Sequence, residues 1–229
     1  ICLDKTGTIT QGKMRVSDVK IFDEKVLPRS FNDMMVAFVN ESDDNNATFK
    51  AISDYFKGNI KFEKQDSISF SSERKWSSIS FKNEGTIVFG APERLFEKSK
   101  KECPKEVENL QKNGKRVLAV AYTKNIINEP VLPELDIVSI LILEDPLRKN
   151  AKEMLGYFKK QGIDVKVISG DNPLTVSNIA KTAGLEEYES YIDLSTIGSD
   201  AEIVDLVEKY SIFARVLPHQ KSIIVKALQ

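Results

Sequence analysis

The chain has few of the residues that build disulfide-bonded or metal-bound domains. It contains two cysteines and one histidine among 229 residues. The cysteines, Cys2 and Cys103, form neither a disulfide framework nor a spacing typical of zinc sites. This scarcity excludes the disulfide-rich secreted class and favours a reducing, intracellular setting.

An excess of charge and a long hydrophobic run are also lacking. The 33 basic residues nearly balance the 34 acidic ones, so the net charge is −1. No nucleic-acid partner is therefore expected. The most apolar segment, residues 137–143, is much shorter than the roughly 20 residues of a membrane-spanning helix. The hydrophobic fraction of 41% and the charged fraction of 29% are typical of a globular protein.

From residue 144 onward, the patterns of helices and strands alternate along the chain. The predicted elements are helices over 146–162, 173–184 and 203–210, strands over 163–168 and 212–216, and a last helix after the second strand. Such alternation predicts an α/β unit with a parallel, doubly wound sheet. Ligands of such sheets bind at the carboxyl ends of the strands.

The middle of the chain has a different pattern, in which short strands are joined by hairpin-like turns. Strands are predicted over 67–70, 76–81, 86–89, 117–122 and 137–143, and helices over 47–56, 92–101 and 104–112. This mixture predicts an α+β domain with an antiparallel sheet, inserted into the α/β domain. The predicted boundaries are 1–16 and 141–229 for the α/β domain, and 17–140 for the insert.

The two ends suggest a piece of a longer protein. Residues 1–4 have the pattern of a buried strand that ends in a carboxylate, and the apolar stripe of the last eight residues has no helix-ending signal. We therefore expect further residues on both sides of this sequence.

Asp4 stands at the predicted carboxyl end of the first strand, before a small loop that contains Gly7. Such an Asp is either a turn-forming residue or a carboxylate nucleophile beside backbone N–H groups that hold phosphate. The whole segment, DKTGTIT over residues 4–10, resembles the phosphorylation motif of P-type ATPases. These are membrane ion pumps whose catalytic domain has the haloacid-dehalogenase-like fold. The resemblance implies that Asp4 is the nucleophile and that Lys5 and Thr6 belong to the catalytic loop.

Three later segments resemble the same family, in the same order along the chain. They are DPLR at 145–148, SGDN at 169–172 and ARVLPHQK at 214–221. From the residues alone, the second is a strand-to-helix turn and Lys221 is a solvated lysine in the first turn of a helix. The resemblance implies that Arg148 faces the nucleotide, and it assigns catalytic roles to Ser169, Gly170, Asp171 and Lys221.

Thr6 separates two classes within this fold. Phosphatases of the haloacid-dehalogenase-like type generally carry a second Asp two residues after the nucleophile, as a general acid and base. Thr6 stands at that position here, and its lack of a basic group should slow hydrolysis of an aspartyl phosphate. A long-lived phosphoenzyme is what a pump requires, so Thr6 favours a pump over a phosphatase.

The insert resembles the nucleotide-binding domain of the same pumps. FSSERK at 70–75 matches the strand whose Phe stacks on adenine and whose Lys meets the nucleotide, and FGAPE at 89–93 matches the KGAPE motif. The resemblance implies that ATP contacts Phe70, Lys75, Gly90, Arg116 and, through the adenine amino group, Asn46. Ser72 and Phe89 replace an Arg and a Lys of the family, so we expect weak ATP binding. From the residues alone, both aromatic side chains read as core residues, and for Phe89 we prefer that interpretation.

The resemblance also implies a magnesium ion, held by the Asp4 carboxylate and the Thr6 carbonyl. The family completes this site with a later GDGxND motif, which the sequence does not reach. Mg²⁺ keeps water ligands where protein ligands are few, so the isolated chain should bind Mg²⁺ weakly and be poorly active.

These features predict the cytoplasmic catalytic part of an integral membrane cation pump. Its substrate would be ATP, its partner its own transmembrane domain, and its transported ion calcium or another hard cation. Two alternatives remain: a soluble haloacid-dehalogenase-like phosphatase with a cap domain, and a nucleotide-binding module without catalysis.

Overall fold

A computed structural model of the chain describes residues 1–228. The strands are β1 (Cys2–Asp4), β2 (Arg15–Ile21), β3 (Lys64–Ile68), β4 (Trp76–Phe81), β5 (Gly85–Gly90), β6 (Arg116–Thr123), β7 (Asp136–Glu144), β8 (Lys166–Ile168), β9 (Tyr191–Asp193) and β10 (Ile212–Ala214). The helices are α1 (Phe31–Glu41), α2 (Ala47–Tyr55), α3 (Pro92–Phe96), α4 (Lys105–Lys112), α5 (Ala151–Lys160), α6 (Pro173–Ala183), α7 (Asp200–Leu206) and α8 (Pro218–Ala227).

The chain divides into two compact units. The parallel unit comprises residues 1–13, 112–114 and 145 onward, and the antiparallel unit comprises residues 14–111 and 115–144. Among residues 1–228, no helix is both long enough and apolar enough to cross a membrane.

The parallel unit is a sheet in the order β1-β8-β10-β9, with all neighbouring strands parallel. Successive strand residues point to opposite faces, so Val167 joins the core beneath α5 and α6, whereas Ile168 joins the core beneath α7 and α8. Helices thus cover both faces, as the alternating pattern predicts. Asp4 pairs in register with Ile168, which brings the ends of β1 and β8 to one edge.

Some elements of the parallel unit differ from the prediction. β8 and β10 are shorter than predicted, and Arg215 leaves the strand region directly after β10 with a positive φ of 51°. The third helix is observed as α7, which begins and ends earlier than the predicted 203–210. β9 was missed because three residues are too short to show a period.

The antiparallel unit is a sheet in the order β2-β7-β6-β5-β4-β3, with every neighbouring pair antiparallel. One face packs against α1 and α2, and the other packs against α3 and α4. The predicted antiparallel sheet is therefore present. Its central strands are buried on both faces, because helices cover both.

Several expectations for the antiparallel unit were wrong in detail. Phe70 follows β3 instead of lying within a strand, and the helix predicted over 92–101 ends at Phe96. The sequence also missed α1 and β2. The predicted boundaries at 16/17 and 140/141 cut through β2 and β7, whereas the units meet at 13/14 and 144/145. The reason is strand pairing: Arg15 at the start of β2 pairs with Glu144 at the end of β7.

Candidate active site

Asp4 occupies the carboxyl end of β1, at the edge where the parallel strands end. Its Oδ1 accepts a hydrogen bond of 3.1 Å from the Thr6 backbone N–H. Its Oδ2 accepts a hydrogen bond from the Lys221 ammonium group. The carboxylate is thus oriented by its own loop and by a cation from the far end of the sequence.

Lys221 reaches Asp4 because of how the last helix begins. Pro218 starts α8 four residues after the end of β10, and Lys221 stands in its first turn. The Lys221 and Asp4 side chains remain 39% and 42% exposed. Ion pairs this accessible contribute about 1 kcal/mol or less, so little free energy is lost when this pair separates.

A second ion pair joins the two loops at this edge. Lys5 is 6% exposed, and its Nζ lies 2.5 Å from Oδ2 of Asp171. Burial of an ammonium group is costly unless a partner compensates it. The pair therefore ties the loop after β1 to the loop after β8.

Ser169 follows β8 directly and is 2% exposed. Its Oγ accepts from the Asp171 N–H at 3.2 Å, and its own N–H donates to the Phe213 carbonyl at 2.9 Å. The neighbouring Gly170 does not adopt the left-handed conformation that favours glycine. A Cβ at this position would approach only the Val216 carbonyl, at 3.8 Å. The catalytic roles of Ser169, Gly170 and Asp171 stay predictions, although the structure brings them to the same edge as Asp4.

The loop after Asp4 has an irregular backbone. Residues Lys5–Ile9 form a π-type turn closed by the Thr10 N–H on the Lys5 carbonyl at 3.0 Å. Within it, Gly7 adopts φ 79° and ψ −7°, a left-handed conformation that glycine adopts without steric cost. The loop thus turns sharply beside the carboxylate.

Two residues of the 145–148 segment contact this loop. Arg148 donates to the carbonyls of Gly7 and Thr10, and Asp145 accepts from the Thr10 hydroxyl at 2.6 Å. Contact between Arg148 and a nucleotide stays a prediction. Thr10 and Asp145 belong to the motifs at 4–10 and 145–148, but no feature of the sequence indicated a function for either residue. Their contact was therefore not predicted.

In the antiparallel unit, Lys75 and Gly90 lie side by side. The Ala91 N–H donates to the Lys75 carbonyl at 2.9 Å, and a Cβ on Gly90 would lie 2.6 Å from that same oxygen. Glycine at position 90 is therefore required by close backbone approach. The Lys75 ammonium group lies 3.3 Å from the Glu93 carboxylate, in an exposed ion pair.

Asn46 and Arg116 each contact a residue in the first turn of α2. The Asn46 side chain caps the helix by accepting from the Phe49 N–H at 2.9 Å, and Arg116 donates to the hydroxyl of Thr48. Both polar groups have structural partners, which a nucleotide would have to replace or share. Their contacts with ATP stay predictions.

The two aromatic residues of the nucleotide motifs differ in burial. Phe70 is 44% exposed, as a side chain that stacks on a ligand would be. Phe89 is buried, and its ring lies 5.9 Å from that of Phe38. Phe89 is therefore a core residue, as expected from the residues alone.

Asp44 is a candidate functional residue that was not predicted from the sequence. It lines a small cavity of about 10 Å³ together with Ser77, Ser78 and Phe38. Burial raises the pKa of Asp44, although a hydrogen bond from the Phe70 backbone acts in the opposite direction. No motif signal pointed to it, because an Asp before a helix has the pattern of an ordinary turn.

The magnesium site expected at Asp4 and Thr6 stays a prediction. Within residues 1–228 there is no cluster of three or more His, Cys, Asp or Glu side chains that could hold an ion. The predicted donors, the Asp4 carboxylate and the Thr6 carbonyl, are both oxygens of the kind that Mg²⁺ prefers.

The family of the chain follows from comparison with known proteins. A family model described as haloacid dehalogenase-like hydrolase matches residues 1–229. The chain therefore belongs to the haloacid dehalogenase-like hydrolases, in agreement with its parallel sheet.

The chain is also similar to cation-transporting ATPases over its whole length. It is 40% identical to the probable cation-transporting ATPase exp7 of Streptococcus pneumoniae and 34% identical to the calcium-transporting ATPase CtpE of Mycobacterium bovis. It is 28% identical to the magnesium-transporting ATPase, P-type 1, of Salmonella typhimurium. The alignments cover 100% of this chain but only 29% of each relative, so the chain spans less than a third of their length.

Proposed function

We propose that the chain is the catalytic part of an ATP-driven cation pump that forms an aspartyl phosphate on Asp4. The observation that carries the proposal is the contact between Asp4 and Lys221 at the carboxyl edge of the parallel sheet. The similarity to cation-transporting ATPases over the whole chain supports the same conclusion.

In the first step, an Asp4 carboxylate oxygen attacks the γ-phosphorus of ATP in line with the departing group. The new P–O bond forms as the bond from phosphorus to the β–γ bridging oxygen breaks, and ADP leaves with the electron pair. Lys221 exchanges its contact with Asp4 for one with the phosphoryl oxygens, where its charge offsets the developing negative charge. Ser169 donates its hydroxyl proton to a hydrogen bond with another phosphoryl oxygen.

In the second step, water attacks phosphorus and the bond to the Asp4 oxygen breaks, which restores the carboxylate and releases inorganic phosphate that keeps both protons of the water. Thr6 has no group that can take a proton from the attacking water. The aspartyl phosphate therefore persists long enough to be coupled to motion in the rest of a pump.

Mg²⁺ fits this site as a cofactor. The Asp4 carboxylate and the Thr6 carbonyl would hold it, with water and phosphoryl oxygens as its other ligands. When bound, the ion supplies positive charge that neutralises the phosphoryl oxygens. Lys221 and the loop around Thr6 orient the carboxylate on which this binding depends.

ATP is the proposed phosphoryl donor, bound through the antiparallel unit. Adenine stacks on the exposed ring of Phe70, a contact worth roughly 1–3 kcal/mol by analogy with base stacking. Lys75 and Arg116 face the phosphates. Gly90 has no side chain, so the backbone around Lys75 can lie close to it. Since Lys75 already pairs with Glu93, binding is expected to be weak in the isolated chain.

The transported ion is proposed to be calcium or another hard cation. This rests on the names of the relatives, two of which are described as calcium-transporting and magnesium-transporting ATPases. The chain would then be the cytoplasmic part of an integral membrane protein, with its own membrane domain as partner.

The test is acid-stable labelling of the full-length protein with γ-labelled ATP. We expect hydroxylamine-labile phosphate in the wild-type protein, stimulated by the transported cation, and none in Asp4→Asn. Asp18→Asn, a change at an exposed position of β2, is the matched control and should label normally. Normal labelling of Asp4→Asn would refute the proposal. Rapid, cation-independent cleavage of p-nitrophenyl phosphate without a trapped intermediate would instead favour the phosphatase alternative.

A further inference from the structure

We infer that Arg148 is a positioning residue, which holds the backbone of the phosphorylation loop through the carbonyl of Gly7. The inference rests on the proposed function, because it assigns a role within the same site. It differs from the nucleotide contact that the DPLR resemblance implies, since the role acts on the chain itself and does not require ATP.

The contacts of Arg148 converge on one short stretch of backbone. Its Nε and Nη2 donate to the Gly7 carbonyl at 3.0 and 2.5 Å, and Nε also lies 3.3 Å from the Thr10 carbonyl. The Arg148 backbone N–H donates to the Ile9 carbonyl at 2.9 Å. One residue thus binds three carbonyl groups of residues 7–10.

The Gly7 carbonyl is the informative contact. The peptide unit between Gly7 and Thr8 is planar, so its carbonyl and its N–H point in opposite directions. A guanidinium group that fixes the carbonyl also fixes the direction of the Thr8 N–H. A cation on the carbonyl side further polarises the peptide and strengthens the N–H as a donor. Backbone N–H groups of this loop are the groups expected to meet phosphoryl oxygens.

Glycine needs such a restraint more than other residues do. Gly7 has a positive φ of 79°, and a free glycine moves between this region and others at little cost. A Cβ placed on Gly12 would lie 3.3 Å from the Gly7 Cα, so the chain packs closely behind the loop as well. Arg148 therefore acts on the residue whose conformation is least restricted by its own side chain.

The segment around Arg148 is itself tied to the same loop. Asp145 accepts from the Thr10 hydroxyl at 2.6 Å and from the Lys13 N–H at 3.2 Å, and the Gln11 N–H donates to the Pro146 carbonyl at 2.9 Å. Thr10 also forms an antiparallel bridge with Leu147. These contacts hold Arg148 in place, so its guanidinium group is a preorganised restraint.

Arginine suits this role better than lysine. Its planar, permanently charged group places several donors in a fixed geometry, whereas an ammonium group is a single flexible point of charge. A lysine at position 148 would keep the charge but not the paired donation from Nε and Nη2 to one carbonyl.

The experiment uses the full-length protein and compares two ways of phosphorylating Asp4. In the first, ATP is the donor. In the second, inorganic phosphate reacts with the carboxylate without any nucleotide: the Asp4 oxygen bonds to phosphorus and water leaves with the displaced oxygen. A residue that only contacts the nucleotide affects the first reaction alone.

For Arg148→Ala we expect phosphorylation from inorganic phosphate to fall about tenfold to 100-fold, as misplaced reacting groups would cause. Affinity for ATP should change less than twofold. Lys149→Ala removes the neighbouring exposed cation and should behave as wild type in both reactions. If Arg148→Ala does not fold, as judged by its thermal unfolding, Arg148→Lys replaces it, with a several-fold loss expected.

Wild-type labelling from inorganic phosphate in either folded variant would overturn the inference, whatever happens to ATP affinity. The proposed function fails in a different way, through absence of label at Asp4 in the unmodified protein. The two failures are therefore distinguishable within one set of measurements.

Discussion

The two units of the molecule differ in how they present the residues expected to act. In the parallel unit, those residues contact one another: Lys221 binds Asp4, and Lys5 binds Asp171. In the antiparallel unit, several of them are engaged in local structure. Asn46 caps a helix, Lys75 pairs with Glu93, and Arg116 donates to the hydroxyl of Thr48.

The difference follows from topology. Parallel strands end at the same edge of a sheet, so loops distant in sequence must meet there. Antiparallel strands joined by hairpins alternate their ends, and no single edge collects them. The parallel unit thus carries a preassembled charge arrangement, whereas the proposed nucleotide contacts in the antiparallel unit would compete with existing partners.

Among substitutions that test this difference between the units, the largest loss of phosphorylation rate is expected at Lys221. Replacing it in Lys221→Met removes the cation beside Asp4 and should slow phosphorylation from ATP by about 100-fold or more, since one lost electrostatic donor has that scale. The rate of label incorporation in the full-length protein measures it. Lys226→Met, an exposed change on the same helix, should leave the rate unchanged. A loss of less than about threefold in Lys221→Met would show that the charge arrangement is not used.

A smaller effect is expected at Phe70 in the antiparallel unit. Phe70→Ala should weaken ATP binding by roughly 1–3 kcal/mol, which is about 5-fold to 150-fold, because a stacking surface is lost. Titration with a fluorescent ATP analogue measures this affinity. Phe22→Ala is the control, since Phe22 is 40% exposed against 44% for Phe70. Equal affinity in the two variants would mean that Phe70 is not the stacking residue.

The smallest expected effect is a change in the free energy of unfolding on substitution of Glu144, the last residue of β7. Burial raises the pKa of Glu144, but hydrogen bonds from Lys115 and Arg15 outweigh this and leave the pKa below its ordinary value. The ionised form is thus favoured in the folded state. Its stabilisation is complete above the unfolded pKa of about 4.5 and is lost as the pH falls through the lower folded pKa.

Glu144→Gln should therefore reduce the free energy of unfolding by about 1 kcal/mol or less near neutral pH. The difference from wild type should shrink as the pH falls below about 4.5. Urea unfolding at several pH values measures it. Glu63→Gln, which removes an exposed partner of Lys82, is the control. A difference that grows at low pH would contradict the assigned direction.

Prediction from sequence succeeded where local pattern and motif coincide. The alternation after residue 144 indicates a parallel sheet, and the structure has one. α1 was missed because all its residues from Met34 to Val39 are buried, so no amphipathic stripe marks it. β2 was missed for the opposite reason: only Val16 is buried in it, and it lacks a clear apolar face.

The same distinction holds for the candidate site. The resemblance of short local segments to family motifs indicated Asp4, Ser169 and Lys221, and their catalytic roles stay predictions. The sequence did not indicate that Lys5 pairs with Asp171, because that contact joins residues 166 positions apart. It also did not indicate that Arg148 binds the Gly7 carbonyl, since a backbone carbonyl has no signature in the residue letters.

From the sequence alone, one could predict the class of sheet, the insertion of one domain into another and the motif residues with reactive or charged side chains. The tertiary structure alone decided which groups meet, because ion pairs and hydrogen bonds depend on distances of about 3 Å between atoms. Such distances are set by strand register and loop backbone angles. The sequence marks Asp4 as a candidate nucleophile, but only the fold brings Lys221 and the loop around Gly7 to its carboxylate.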